Sequence, residues 1–363
     1  MAEALKNIYS PAFVSRLAED IARVSSINSE DFFKLVFDRD WEQRELKQRS
    51  KHIAVCMEAS VKGTFSEQID TLLSFAATYS GYTAIIFSDF VEHFGQAHWD
   101  ESMQAMEKCT QLCTAEFAVR PYFMKDFERM VEQHEVWSKH DNEHIRRLAS
   151  EGIRPRLPWG AGVLRLKQEP EHIFPILKNL LQDDSEYVRR SVANNLNDIS
   201  KDYPELVLAF VRKLDLSHKN TQRLVKHALR GLLKKAHPEA LALFGFHDAI
   251  ELKNVILSTK QQSIRIGDTL EWHFSLEAIG TGNLRLEYHV AYQKANGKTS
   301  TKVFQLSEQS IDGSKRISMD KKLSFQDLST RKHYPGKHVI SLVANGRVKV
   351  SAFAEIASAD VEG

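Results

Sequence analysis

Apolar residues recur at three- and four-residue spacing through the first two thirds of the chain, as in Phe13-Leu17-Ile21, Phe33-Val36-Phe37 and Ile69-Leu72-Leu73-Phe75. That spacing puts them on one face of a helix, and prolines tend to fall between the periodic stretches. The clearest internal echo lies between residues 185–206 and 221–241. Val188-Val192-Leu196-Ile199 forms one apolar stripe and Val225-Leu229-Leu232 the other, and each stretch reaches a proline, Pro204 or Pro238. The offset of roughly 35 residues falls within the repeat lengths of helical solenoids. Asp183-Asp184-Ser185 supplies an N-cap ahead of the first stripe. Near residue 248 the period drops to two. Leu270, Trp272, Phe274 and Leu276 alternate with polar residues, as do Leu284, Leu286, Tyr288, Val290 and Tyr292. Further strands are expected at 251–257, 301–304, 315–323, 338–343 and 348–353. Turns are expected at Gly280-Thr281-Gly282, Ala295-Asn296-Gly297, Pro335-Gly336 and Asn345-Gly346. About seven or eight short strands in ~105 residues read as an antiparallel sandwich of immunoglobulin type. The expected architecture is therefore an α-solenoid over residues 1–247 followed by an all-β immunoglobulin-like sandwich over 248–363.

Composition adds little to this, but the distribution of charge adds more. The 363 residues are 42% hydrophobic and 27% charged, with a net charge of +1. No apolar run approaches the ~18 residues that a membrane span needs. The opening MAEALKNIYSPAF lacks a signal-peptide pattern. Three cysteines, Cys56, Cys109 and Cys113, make no disulfide framework, so a reducing cytoplasm is expected. Residues 1–100 carry 10 Lys and Arg against 15 Asp and Glu, whereas residues 139–235 carry 19 against 12 and residues 250–363 carry 16 against 12. A local basic excess of this kind is an electrostatic footprint for phosphates, although a surface with scattered lysines gives the same count.

Several stretches hold polar groups that a plain core would not need. Arg190, Asn194 and Asp198 share a stripe on the predicted 185–206 helix, read either as a solvated Arg–Asp ladder or as a carboxylate placed on the solenoid's concave wall. Arg189 and Arg190 form one of two Arg-Arg pairs, with Arg146-Arg147 the other. On the next helix Arg223, Lys226, Arg230 and Lys234 fall within about 80° of one another, which suits either phosphate contacts or an ordinary exposed face. In the stretch 150–159, Gly152 is expected to cap the preceding helix. Pro155 and Pro158 then enforce an extended path that fixes Trp159, with Arg154 and Arg156 adding charged donors. A connector needs neither Glu151 nor that indole. Glu116 appears inside an apolar helix face just before a Pro121 stop, where pairing with Arg120 at i+4 is the structural alternative to a site. His134, His140 and His144 read as a surface scatter on a helix. No metal-ligand spacing, phosphate-cradling Gly loop or dinucleotide fingerprint is present, so neither metal nor cofactor is expected.

The segments TAEFAVRPYF, RRLASEGIRPRLPW and RRSVANNLNDISKDYPEL resemble the AlkC family of bacterial DNA alkylation-repair glycosylases, within the HEAT-like-repeat glycosylases that also include AlkD. The resemblance covers roughly residues 1–245, and a C-terminal Ig-like module occurs in part of that family. It implies a solenoid of HEAT-like repeats. It also implies excision of small cationic bases, chiefly 3-methyladenine, from duplex DNA without a deep flipped-base pocket. No lysine in these segments stands out as a Schiff-base nucleophile, so a monofunctional enzyme is expected. By this resemblance the catalytic residues are Glu116, Glu151, Trp159 and Asp198.

Elementary chemistry agrees with that assignment. A base already cationic departs without a general acid, so the barrier lies in the oxocarbenium sugar and the incoming water, both of which carboxylates can serve. An indole face favours a cationic lesion. DNA contacts are expected from Arg154, Arg156, Arg189, Arg190, Arg223, Lys226 and Arg230. In the sandwich, Lys298 and Lys332, on the basic loops 294–302 and 331–337, are expected to join them. The expected partner is double-stranded DNA with alkylated bases, met by a monomer with no membrane or obligate protein partner. The alternatives are a non-enzymatic scaffold, if the four residues prove dispersed, and a DNA-structure binder without activity.

Overall fold

A computed structural model of the chain describes residues 5–247, 249–328 and 331–358. It divides into two units, one formed by the chain up to Tyr203 with Leu214–Ala228, the other by Pro204–Lys213 and the chain from Leu229 onward. Helices give way to strands near residue 248, as the change of period predicts. The second unit nevertheless also takes in the helices Pro204–Val211, Arg230–Lys234 and Pro238–Ala242.

In the first unit, helices start where short polar side chains can satisfy free backbone N–H groups. Ser10, Asn28, Asp126 and Asn142 each accept a bond from the first helical turn, and Thr64 with Glu67 forms a reciprocal capping box. Ser185 caps its helix without a side-chain bond, and Asp183 instead accepts from the Ser185 N–H at 2.9 Å. Four helices lie side by side: Trp99–Leu112 against Glu143–Glu151, then Glu186–Ile199, then Lys219–Ala228. Val188, Val192, Leu196 and Ile199 are buried as their spacing predicts. The predicted cationic stripe is interrupted. The helix Lys219–Ala228 ends before Leu229, whose φ of −90° and ψ of 6° leave the helical range, and a new helix runs Arg230–Lys234. Leu229, Leu232 and Leu233, at i, i+3 and i+4, are all buried, and Gly231 lowers the cost of interrupting the helix.

His134 is not at the surface. It lies wholly buried on the helix Phe127–Trp137, with the rings of Phe123 and Trp137 at 4.8 and 5.1 Å. Its Nδ1 is 2.9 Å from the Met130 carbonyl, and its Nε2 has no hydrogen-bond partner. Gly152 ends the helix Glu143–Glu151 in ordinary right-handed geometry, with φ −61°, and not as a left-handed cap. A glycine is required there by space: a Cβ would lie 2.8 Å from His134 Nε2 and 2.9 Å from Val119 Cγ2.

The second unit carries a six-stranded sheet: β1 (Glu251–Thr259), β2 (Ser263–Arg265), β3 (Thr269–Gln293), β4 (Thr299–Ser324), β5 (Gly336–Ala344) and β6 (Arg347–Ala357). Fewer and longer strands replace the expected seven or eight, because Gly280-Thr281-Gly282 bends β3 without ending it. Gly280 has φ +126° and approaches the Ala249 carbonyl so closely that a Cβ would stand 2.7 Å from it, while its pairing with Gly313 keeps the ladder intact. The first half of β3 pairs with β1, its second half pairs with β5, and β4 follows it throughout. β3 thus exchanges one partner at the bend, β1 before it and β5 after it. The alternating residues Leu270, Trp272, Phe274, Leu276, Leu284, Leu286 and Val290 meet Ile340, Leu342 and Ile356 in the core. The hairpin turns at 295–297 and Asn345-Gly346 form as predicted, the latter with φ of 46° and 80°.

Burial depresses the His134 pKa to about 3, the bond to Met130 opposing this and Arg120 adding to it. The folded protein therefore refuses a proton that the unfolded chain accepts near its ordinary value of 6.5. The stability this confers is complete above pH 6.5 and is lost as pH falls from there toward 3. Urea unfolding from pH 7 to pH 5 should show a pH slope in the parent steeper than in His134→Leu by up to about 1.4 kcal/mol per pH unit. Equal slopes would mean that His134 gains a proton without unfolding.

Candidate active site

Residues 152–163 leave the helix Glu143–Glu151 without regular structure, and the backbone there is held by a side chain. Arg120, fully buried on the helix Val119–Lys125, donates from Nε to the Ala161 carbonyl at 2.8 Å and from Nη1 to those of Gly152 and Arg154 at 2.9 and 3.0 Å. Burial, then the charge of Arg154, pulls its pKa down to about 10, which leaves it cationic at neutral pH. Arg120 is therefore not the partner of Glu116. Glu116 lies on the turn before the helix Val119–Lys125 and not within a helix. Pro121 does not stop a helix but sits in the first turn of that one, where its missing N–H costs nothing.

Trp159 takes left-handed geometry, φ 62°, which costs a residue with a Cβ roughly 1–2 kcal/mol. The residue is 67% exposed. The loop that carries it is also tied to the end of the helix Glu186–Ile199. Arg154 meets Asp198, and two residues on Arg156 meets Asp202 with contacts of 2.7 Å.

The three predicted acids join one chain of alternating charge. Glu116 Oε2 lies 2.5 Å from Arg147 Nη1 and accepts from the Thr114 hydroxyl at 2.9 Å. Arg147 Nη2 reaches Glu151 Oε1 at 3.5 Å, and Arg154 Nη1 donates to that same oxygen at 2.6 Å. The other Glu151 oxygen accepts from Ser191 Oγ at 2.6 Å. Arg154 Nε and Nη2 are both 2.8 Å from Asp198 Oδ2, and Lys201 Nζ is 3.0 Å from Oδ1. Burial opposes the charge on Arg147 and Arg154, but the flanking carboxylates outweigh it and raise both above the usual arginine value.

Glu116 and Trp159 line one cleft of about 370 Å³, with Arg147, Phe117, Tyr82 and Tyr187 among its other walls. Glu151 and Asp198 are not part of that lining and are 5% and 2% exposed. Two members of the quartet thus line the cleft and two are buried outside its lining, the three acids being linked through Arg147 and Arg154. Sequence reasoning did not assign Arg147, Tyr82 or Tyr187. Arg147 stands one turn before Glu151, at i−4, and that spacing was the available signal for it. Its guanidinium also lies 5.2 Å from the Tyr187 ring centroid. Cys113 lines the cleft too, its thiol pushed up to about 11 by burial and then by Glu116.

The predicted DNA contacts fall in different settings. Arg154 is buried between two carboxylates, and Arg156 is exposed but engaged by Asp202. Arg189 donates to the carbonyls of Asp183 and Asp184, and Arg190 reaches Glu186 at 3.4 Å. Arg189, Arg190, Arg223 and His227 line a groove of about 230 Å³ between the helices Glu186–Ile199 and Lys219–Ala228. Lys226 and Arg230 are half-buried on two separate helices. Lys298 is exposed on the β3–β4 hairpin, and Lys332 is exposed on the segment before β5. Among the described residues, no group of three or more His, Cys, Asp and Glu is placed to hold a metal, and no helix is long and apolar enough to cross a membrane.

Residues 70–235 match the family model described as DNA alkylation repair enzyme. Residues 254–357 match that of "Uncharacterised protein YhaZ, C-terminal Ig-like domain". The Uncharacterized protein YhaZ of Bacillus subtilis (strain 168) is 41% identical over 348 residues, 96% of this chain and 98% of its own. The structure of Pseudomonas fluorescens alkylpurine DNA glycosylase AlkC bound to DNA containing an abasic site analog superposes with a TM-score of 0.92 at 32% identity. The match covers 98% of this chain and 99% of that one. Since these likenesses run through the helical unit and the sandwich alike, the chain belongs to the AlkC-type family of DNA alkylation-repair glycosylases.

Proposed function

We propose that this protein is a monofunctional DNA glycosylase that hydrolyses the N-glycosidic bond of small cationic alkylated purines, 3-methyladenine foremost, in duplex DNA. The observation that carries the reading is the shared cleft of Glu116 and Trp159, with the buried acids Glu151 and Asp198 linked to Glu116 through Arg147 and Arg154. Similarity to a DNA-bound alkylpurine glycosylase along nearly the whole chain supports it. A scaffold would require the four residues to be dispersed, and the ion-pair chain weighs against that.

A 3-methylated adenine carries its positive charge before the bond breaks, so the leaving group needs no proton. Cleavage leaves an oxocarbenium sugar that must be stabilised until water adds. Glu116 is the carboxylate within reach of that sugar or its attacking water, and Glu151 and Asp198 add their field. The Trp159 face attracts a cationic base over a neutral one. An open cleft of this size suits excision without deep enclosure of the base. The arginine-lined groove at Arg189, Arg190 and Arg223 suits backbone phosphates. We further assign Lys298 and Lys332 of the sandwich to DNA contacts made by the C-terminal module.

Glu116→Gln and Asp198→Asn should each slow single-turnover release of 3-methyladenine, followed by chromatography of freed bases, by on the order of 10²–10³. Neither should weaken binding of abasic duplex more than a few-fold. Variants that excise as fast as the parent would remove these acids from the chemistry. Replacing Trp159 with Leu should lower the preference for cationic over neutral lesions by about 2- to 30-fold, the equivalent of ~0.5–2 kcal/mol. An unchanged preference would leave the indole a purely steric role.

A further inference from the structure

We propose that Lys201 is an exchangeable cap on Asp198, an ammonium that a DNA phosphate draws off when duplex binds, leaving Asp198 held by Arg154 alone. The inference rests on the glycosylase reading for its purpose, but not for its test.

The ion-pair chain is balanced in the free protein: Glu116, Glu151 and Asp198 face Arg147, Arg154 and Lys201. A balanced cluster provides little net field for a developing sugar cation. The three cations differ in how they are held. The side chains of Arg147 and Arg154 are 13% and 9% exposed, and each is shared between two carboxylates. Lys201 is 47% exposed, and its ammonium has one carboxylate contact, to Asp198 Oδ1 at 3.0 Å. Asp198 itself is 2% exposed, so it cannot follow Lys201 into solvent.

Position adds to this asymmetry. The helix Glu186–Ile199 has ended before Lys201, whose backbone N–H bonds back to the Asp198 carbonyl at 3.3 Å. The four-carbon stem can swing the ammonium away from Asp198 while the backbone stays in place. Arg154 cannot do the same, because the carboxylates of Glu151 and Asp198 hold it from both sides. A phosphate oxygen replaces one carboxylate oxygen as the partner of Lys201. No proton moves and no covalent bond changes, and the ion-pair chain is left with one uncompensated negative charge. That charge appears only with nucleic acid present, so the free protein does not hold an unpaired buried acid.

The test measures binding of a duplex carrying an abasic-site analogue between about 50 and 200 mM salt. Lys201→Met should reduce the slope of log K against log salt by about 0.9, one phosphate contact, and Lys201→Arg should restore it. Asp198→Asn, which removes the carboxylate competing for the ammonium, should tighten binding at the lowest salt by about two- to fivefold. The same change in a chain that also carries Lys201→Met should give no such gain. An unchanged slope, or an equal effect of Asp198→Asn with and without Lys201, overturns the proposal. A lysine that merely braces the fold would lower stability and move neither quantity. All these readings are of binding, so a parent protein that frees no base would sink the proposed function and leave the cap to be judged separately.

Discussion

Each of two guanidiniums in the helical unit lies between two carboxylates, and the geometry of the candidate site follows from that sharing. A carboxylate taken out of water loses several kcal/mol of hydration, which a single partner seldom restores. Glu151 is compensated by Arg154, Ser191 and, at longer range, Arg147, and Asp198 by Arg154 and Lys201. Compensation this complete allows three acids to occupy one region of the molecule. It also has a mechanical consequence. Arg154 can satisfy both acids only if the end of the helix Glu143–Glu151 and the last turn of Glu186–Ile199 keep one separation. The bond from Asn195 Nδ2 to the Ser150 carbonyl, 2.8 Å, holds the same pair of helices in step.

Arg120 imposes a second constraint of the same kind on the loop that follows. Backbone carbonyls released by the end of a helix must find donors, and in residues 152–161 three of them find one side chain. With both sides of the loop fixed, the left-handed backbone of Trp159 can be tolerated, and the residue lines the cleft beside Pro158 while Leu157 stays buried. Gly152 and His134 belong to this arrangement, since the ring occupies the space that the absent Cβ leaves.

The sandwich manages buried charge in a similar way, without a site. Arg285 and Glu287 project from β3 on either side of its bulge, nearly inaccessible, 2.5 Å apart, with Glu308 of β4 as a further partner of the arginine. Two long strands bent at Gly280 do the work expected of four short ones. A glycine there serves the close approach of Ala249 instead of a chain reversal.

Much of this protein is legible without coordinates, and the division between what is and what is not has a physical basis. Hydrophobic period is a property of neighbouring residues, so the helical region, the change to strands near residue 248 and the inward faces of Val188–Ile199 and of 270–276 could be read directly. The motif around Glu151 and Trp159 likewise marked the loop that lines the cleft. Ion-pair partnership is not local. Arg147 meets Glu116 across 31 positions and Arg154 meets Asp198 across 44, whereas the sequence-adjacent candidate, Arg120, turns to backbone carbonyls. The burial of His134 and the continuity of β3 through its glycines were likewise decided by what packs alongside. Local chemistry therefore determined the elements and which residues were chemically unusual. Only the tertiary arrangement determined which charges face each other, because an electrostatic partner is chosen by distance in space and not by separation along the chain.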